Sequence, residues 1–251
     1  MDPSVETVKS VYQSTPYQAA GAALMSFQPL SNIKQHLCGL HTYAHDPSRS
    51  VIAHHYCTHL HGKNMHQCLI FDSDTPGARL IGIEYVIPEE TFVALPDEEK
   101  KYWHSHKFEV ESGMLQLGMK PLVPNAVADT AEIPAMTELQ TTYGKTTHTW
   151  QYDIHPDFPM GPPQLMMAYT ADDHVDEALL ASRDAQAGTS TAAKRQHRKT
   201  YLPQSAIDKM PAEGADAWLS GRTVQFEPVE RDVEPIPKGV RSKIGGEKEE
   251  A

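Results

Sequence analysis

The distribution of histidine is the feature that most restricts how this chain can fold. Ten of its fourteen histidines lie between residues 36 and 106, and most of these gather in two segments, 53–61 and 103–109. Imidazole rings are polar and bind metal ions readily, so histidines that are close together in the sequence can line one face or one interior of the fold. We therefore expect the two segments to converge on one site.

The first segment, 53–61, has the pattern of a β-strand. Strand side chains alternate between two faces, which would place His55, His59 and His61 on the same face. If the segment were helical, His55 and His59 would still meet at positions i and i+4. Either geometry brings two imidazoles onto one metal ion. Imidazole suits zinc, iron, copper and nickel alike, so the spacing does not choose the metal.

The second segment, 103–109, also offers a pair of ligands in either conformation. On a helix, His106 and Glu109 lie at i and i+3, whereas on a strand His104 and His106 share a face. A histidine-rich site with one carboxylate and open positions is typical of non-haem iron and catalytic zinc centres. The sequence therefore predicts a divalent transition metal (iron, zinc or copper) held by His55, His59, His104, His106 and Glu109.

The alternative for any single histidine is an ordinary hydrogen-bonded surface or core residue. That is the expectation for the more scattered members of the set, which are His45, His66, His155, His174 and His197. Cys57 and Cys68 are expected to be small buried hydrophobes rather than ligands. Glu84 lies inside an expected strand. Packing is the simpler explanation of this residue, and support of the metal ligands is the alternative.

Composition and charge exclude several classes of protein. The formal net charge of −11 opposes phosphate binding over the whole surface, so nucleic acid is not an expected partner. The longest apolar runs have the length of one strand, short of the roughly 20 residues of a spanning helix. The start of the chain lacks the pattern of a secretory signal, and three cysteines without a CxxC favour reduced thiols in a cytoplasmic protein.

The predicted fold class is α+β, a single domain over 18–182 with a mostly antiparallel sheet and a few flanking helices. Strands are expected at 51–57, 67–71, 79–87, 146–153 and 165–169. The second and third of these should form an antiparallel hairpin. Helices are expected at 17–27 and from Pro96 to a stop at Gly113, with loops over 118–137. A small sheet closed around the histidines, similar to a cupin, is the alternative architecture.

The composition changes near Arg183, where small and charged residues begin to dominate. Apolar residues are isolated from there on, as Trp218 and Phe226 are. We expect residues 183–251 to form an extended arm with one short helix, and its last dozen residues to be disordered.

Several short strings of the sequence resemble the oil-body-associated protein family over roughly residues 20–170. They include His54–Cys57, Asp72–Asp74, Ala78–Gly82, Trp103–His106, Thr142–Lys145 and Pro159–Pro163. The resemblance implies association with lipid droplets and a domain of unknown biochemical function. It favours His55, His59 and the 104–109 group as site residues over His61 and His66. The arm after about residue 180 departs from the family pattern.

These observations leave three functional hypotheses. The first is a non-enzymatic protein of the lipid-droplet surface, for which the sequence shows no long amphipathic helix as an anchor. The second is a metal-dependent enzyme on a small apolar substrate, with Glu109 as ligand or general base and Tyr56, Tyr143 and Trp150 around the pocket. The third is a histidine-based pH sensor. The sequence determines neither the type of reaction nor the oligomeric state, and it is compatible with a homo-oligomer.

Overall fold

A computed structural model describes residues 3–232 of the chain. Its strands are β1 Gln35–Tyr43, β2 Asp46–Leu60, β3 Met65–Phe71, β4 Leu80–Pro88, β5 His104–Ser105, β6 Gln116–Leu117, β7 Thr142–His148 and β8 Gln164–Ala168. Its α-helices are α1 Pro3–Tyr12, α2 Thr15–Leu24, α3 Gln28–Ser31, α4 Glu89–Val93, α5 Asp97–Lys100, α6 Lys107–Ser112, α7 Asn125–Leu139, α8 Glu177–Ala187, α9 Thr191–Arg198 and α10 Gln204–Ile207. Among these residues, no helix is both long and apolar enough to cross a membrane.

Six strands form a closed antiparallel barrel. They pair in the order β1, β2, β3, β4, β7 and β8, and β8 pairs with β1 to close the ring. The short strands β5 and β6 pair with β7 and β1 outside this ring. The predicted α+β class with a mostly antiparallel sheet is confirmed, and the sheet is closed as the alternative architecture required.

The β3–β4 hairpin confirms the strongest local prediction. Its turn is fixed by Asp72, whose carboxylate accepts a hydrogen bond from the Arg79 backbone N–H at 2.8 Å and pairs with the Arg79 side chain. Short polar side chains of this kind favour turns because they satisfy nearby backbone donors. The register that follows places Cys68 opposite Glu84, with both side chains directed into the barrel.

Apolar residues enclose the middle of the barrel from both ends. Toward one end, Ala53, Ile70 and Ile81 are fully buried. Toward the other end, Leu37 and Val86 meet buried residues of the adjacent helices α6 and α7. Because strand side chains alternate, polar residues of the same parity between these two layers are sealed inside the barrel.

Helices α8 and α9 pack on the outside of the barrel, so the extended arm predicted from residue 183 is wrong for residues 183–198. Arg183 and Arg198, which look like solvent-facing charges in the sequence, are 2% and 0% exposed. The guanidinium of Arg198 donates to the carbonyls of Val110 and Leu115. Charged residues that bond backbone groups can be buried, which residue composition does not reveal. The predicted disordered end lies outside the described residues.

Two further local predictions are wrong. Residues 125–139 form helix α7 instead of a loop, because Pro124 lies just before its first turn, where a missing N–H does no harm, and Pro134 is accommodated inside it. The helix expected from Pro96 to Gly113 is interrupted by β5. Gly113 does end α6, with a φ of 87° that favours glycine.

The expectation of reduced thiols is wrong for two of the three cysteines. Cys57 on β2 and Cys68 on β3 are direct cross-strand partners and form a disulfide. Cys38 is free and buried. Strand register decides which cysteines meet, and register could not be read from the cysteine count.

Candidate metal centre

Four strands and the residue after β5 direct five polar side chains into the enclosed middle layer. His41 comes from β1, His55 from β2, Glu84 from β4, His104 from β5, and His106 from the residue after β5. Each of these side chains is at least 94% removed from solvent. The sequence pattern of β2 explains the position of His55, because Ala53 and Cys57 on either side of it face the same interior.

Glu84 is the group around which the imidazoles gather. Its Oε2 lies 3.0 Å from His55 Nε2, and its Oε1 lies 3.3 Å from His106 Nε2 and 3.4 Å from His104 Nε2. Burial by itself would raise the pKa of Glu84, but the surrounding imidazoles of His104, His106 and His55 hold it well below its usual range. Glu84 is therefore a buried carboxylate facing three histidines.

A second line of contacts extends from His55. His55 Nε2 lies 3.1 Å from His41 Nε2, and His41 Nδ1 lies 3.0 Å from His148 Nε2 at the end of β7. Burial lowers the pKa of His41 well below its ordinary value and that of His148 to about 3. These imidazoles are neutral at physiological pH, which is the form that binds metal ions.

Hydrogen bonding fixes the tautomer of His106. The Thr142 hydroxyl donates to the Leu139 carbonyl at 2.8 Å, so it accepts from His106 Nδ1, also at 2.8 Å. Burial lowers the pKa of His106, and its Nε2 lies 3.3 Å from Glu84 Oε1. With Nδ1 engaged by Thr142, Nε2 is the nitrogen of the ring that can bind a metal ion.

Several buried polar atoms around Glu84 have no hydrogen-bond partner in the described chain. They are His55 Nδ1, His104 Nδ1, His104 Nε2, His148 Nδ1 and Thr146 Oγ1. At 3.4 Å the contact of His104 Nε2 with Glu84 is too long to count as a well-formed hydrogen bond. An unsatisfied buried donor or acceptor costs about 1–3 kcal/mol, so an unfilled interior of this kind calls for a ligand.

Glu109 lines the same small cavity as His41, His55, Glu84 and His106. Burial raises the pKa of Glu109 well above its ordinary value, and the negative charges of Glu84 and Asp216 act in the same direction. The cavity has a volume of about 20 Å³. A cavity of about 10–15 Å³ on this measure admits one water molecule, so the space suits one or two small occupants and no organic molecule.

Gly144 on β7 makes the convergence possible. A Cβ at this position would overlap Glu84 Oε1 and would lie 2.7 Å from His104 Nε2 and 2.8 Å from His106 Nε2. Any other residue would therefore displace the carboxylate or the imidazoles. Here glycine is required by the close approach of side chains, since its backbone has no positive φ.

Asp216 holds the second segment in place from outside the barrel. Its Oδ1 accepts a hydrogen bond of 3.0 Å from the backbone N–H of Ser105, between His104 and His106. Burial raises the pKa of Asp216 to about 7. A residue from the predicted arm thus supports the site, although no sequence pattern singles it out.

The structure brings together His55, His104 and His106 among the predicted ligands, with Glu109 beside them. His59 lies apart from this cluster and stacks on His66 at 4.5 Å between ring centroids. Tyr56, predicted as catalytic, lies on the opposite face of β2 and donates a hydrogen bond to Asp74. Sequence reasoning missed Glu84 as the central carboxylate of this cluster and did not select His41 or His148 as ligands.

The fold and the site define a small antiparallel barrel protein whose interior holds a histidine–carboxylate centre. The family model described as "Protein of unknown function (DUF1264)" matches residues 27–202. Oil body-associated protein 1B of Arabidopsis thaliana is 38% identical over 219 residues, 86% of this chain and 85% of the relative. Oil body-associated protein 1A of Zea mays is 42% identical over 181 residues, 72% of this chain and 73% of the relative. The chain belongs to the oil body-associated protein family. No solved structure matches it.

Proposed function

We propose that this protein acts at the surface of lipid droplets and that a divalent transition metal in the buried centre holds its barrel together. The observation that carries the metal is the buried Glu84 carboxylate, which lies 3.0–3.4 Å from the Nε2 atoms of His55, His104 and His106, beside further imidazole nitrogens without hydrogen-bond partners in the described chain. The support for the location is the name of the relatives, which describes them as oil body-associated.

The spacing of the donor atoms supports metal binding. With metal–nitrogen bonds of about 2.0–2.1 Å, neighbouring ligands of a tetrahedral or octahedral ion lie about 3.0–3.4 Å apart. The contacts of Glu84 with His55, His104 and His106 fall between 3.0 and 3.4 Å. Nitrogen and carboxylate ligands suit zinc, iron and copper, so the donor set leaves the choice among these metals open.

The small volume of the cavity favours a structural metal over a catalytic one. A metal-dependent enzyme acting on a small apolar substrate needs space for that substrate beside the ion. The cavity that reaches Glu84 and Glu109 measures about 20 Å³ and is lined by buried residues. We therefore favour a role in stability, in which the ion joins strands that are distant in sequence.

Metal content tests the first half of the proposal. Protein purified without a histidine tag and without chelators should contain stoichiometric zinc, iron or copper by elemental analysis, or should take it up on equilibrium dialysis. Glu84→Gln should lose the metal, and His45→Gln should keep it, because His45 is exposed on a turn. A wild-type protein that neither contains nor takes up metal would exclude the metal centre.

The N-terminal helices offer a surface for the lipid-droplet contact. Helix α2 has no buried residue, and four large apolar side chains that are 50–85% exposed lie at its end and in α3: Leu24, Met25, Phe27 and Leu30. Exposed apolar side chains grouped in this way mark interaction surfaces. A phospholipid monolayer over triacylglycerol would bury them.

Flotation tests the second half of the proposal. Purified protein mixed with triacylglycerol droplets coated with phospholipid should rise with the droplets on centrifugation. The double variant Leu24→Glu/Phe27→Glu should remain in the aqueous layer, whereas Val229→Glu, at an exposed apolar residue distant in the chain, should still float. Wild-type protein that stays in the aqueous layer would contradict the proposed location.

A further inference from the structure

The donor atoms of the centre divide into two sets that have only Glu84 in common. One set is His41, His55 and Glu84, and the other is Glu84, His104 and His106. Within each set the ligand atoms lie within 4.8 Å of one another. The two sets use different oxygens of the carboxylate: Oε2 faces His55, while Oε1 faces His104 and His106.

One ion at this spacing can serve only one of the sets. Ligands on opposite sides of a transition metal ion are about 4.2 Å apart, twice a bond of about 2.1 Å. In the described chain, the five donors do not form a single group even within 4.8 Å. Each set alone matches one ion, since His55 Nε2 lies 3.1 Å from His41 Nε2 and 3.0 Å from Glu84 Oε2.

From this arrangement we infer that the centre binds two divalent transition metal ions bridged by the Glu84 carboxylate. The inference rests on the proposed metal centre and extends it. Metal pairs in proteins are typically about 3.5–4 Å apart, a separation that one bridging carboxylate spans. Each ion receives two imidazoles and one oxygen of Glu84, which leaves further coordination positions toward the cavity.

The contents of the cavity suit a pair of cations. A second carboxylate, Glu109, lines the cavity beside Glu84 and is 3% exposed. Glu109 therefore adds a further oxygen donor to the lining of the cavity, next to the carboxylate that both sets share.

Counting the ions tests the inference. Native mass spectrometry of the zinc-loaded full chain should show two ions per wild-type molecule. His41→Gln and His104→Gln each remove a ligand from one set only and should each retain one ion. Glu84→Gln should retain none, and His45→Gln should retain two.

The outcomes separate this inference from the proposed function. A single ion in the wild type overturns the metal pair and leaves the metal centre standing, whereas no ion overturns both. The wild-type count does not depend on whether any variant folds. In the copper-loaded wild type, two Cu²⁺ ions on one carboxylate should couple, so the electron paramagnetic resonance intensity should fall below the copper content. Two bound ions with full intensity would contradict the bridge.

Discussion

Charged groups are buried in two regions of this molecule, and the cost of burying charge is compensated differently in the two regions. Outside the barrel, Arg198 of α9 is fully buried, and its hydrogen bonds in the described chain all reach carbonyl or carboxylate oxygens. Its guanidinium reaches the Val110 carbonyl, the Leu115 carbonyl at 2.6 Å and both oxygens of Glu132 at 3.2 Å. Inside the barrel, Glu84 is also buried, but several imidazole nitrogens near it, on His55, His104 and His148, have no hydrogen-bond partner in the described chain.

The difference shows which region needs a ligand. The contacts of Arg198 and Glu132 are satisfied by the chain itself, and Lys194 adds a further bond of 2.9 Å to Glu132. A buried network of this kind is complete when the protein folds. According to the proposed metal centre, the barrel interior is completed by a bound cation. The first region therefore should respond to mutation alone, and the second should respond to both mutation and metal.

The largest effect is expected from breaking the complete network. Arg198→Met would leave the Glu132 carboxylate with less compensation in a fully buried position and should lower the free energy of unfolding by about 3–5 kcal/mol. Metal content should not change. Urea denaturation measures the first quantity and elemental analysis the second.

Arg195→Met is the matched control for this variant. Arg195 lies one turn earlier on the same helix, pairs with the exposed Asp172 and donates a hydrogen bond of 3.1 Å to the Ser112 carbonyl. Exposed ion pairs contribute about 0–1 kcal/mol and one hydrogen bond about 0.5–1.5 kcal/mol, so the control should lose less stability than Arg198→Met. Equal losses in the two variants would mean that the buried Arg198 network contributes no more to the free energy of unfolding than the contacts of Arg195.

An intermediate effect is expected from filling the space at Gly144. The Cβ of Gly144→Ala would meet Glu84, His104 and His106. Overpacking of this kind lowers the free energy of unfolding by about 1–3 kcal/mol, and the displaced carboxylate should lose its metal. Thermal denaturation with and without added zinc measures both.

Gly77→Ala, with open space around it, is the control for Gly144→Ala. It should preserve the stabilisation by zinc. If Gly144→Ala bound zinc as well as the control, the close approach at Gly144 would not limit the centre.

The sequence predicted those parts of the fold that depend on local alternation and turns. The β3–β4 hairpin and the inward direction of His55 are examples. On β4, however, the structure reverses the hydrophobic pattern: Glu84 faces the interior, while Ile83 and Tyr85 are 40% and 39% exposed. Hydrophobicity alone assigns Glu84 to the outside, so the central carboxylate could not be predicted from its own strand.

The remaining features depend on contacts between residues far apart in the chain. The pairing of β8 with β1 closes the barrel and is set by packing that no local pattern encodes. The pairing of Cys57 with Cys68 and the support of Ser105 by Asp216 are long-range in the same sense. The two histidine segments were found because clustering along the sequence is visible, whereas His41 and His148 are single histidines on separate strands.

The smallest effect is expected at His59, which marks the boundary of the centre along β2. His55 and His59 have the same parity on one strand, yet only His55 contacts Glu84, while His59 stacks on His66. His59→Gln should therefore leave the metal count unchanged and alter the free energy of unfolding by less than about 1 kcal/mol. His55→Gln should lose metal, because it removes a donor 3.0 Å from Glu84. Elemental analysis of both variants measures the contrast. Loss of metal from His59→Gln would mean that the centre extends along β2 to His59, toward His66.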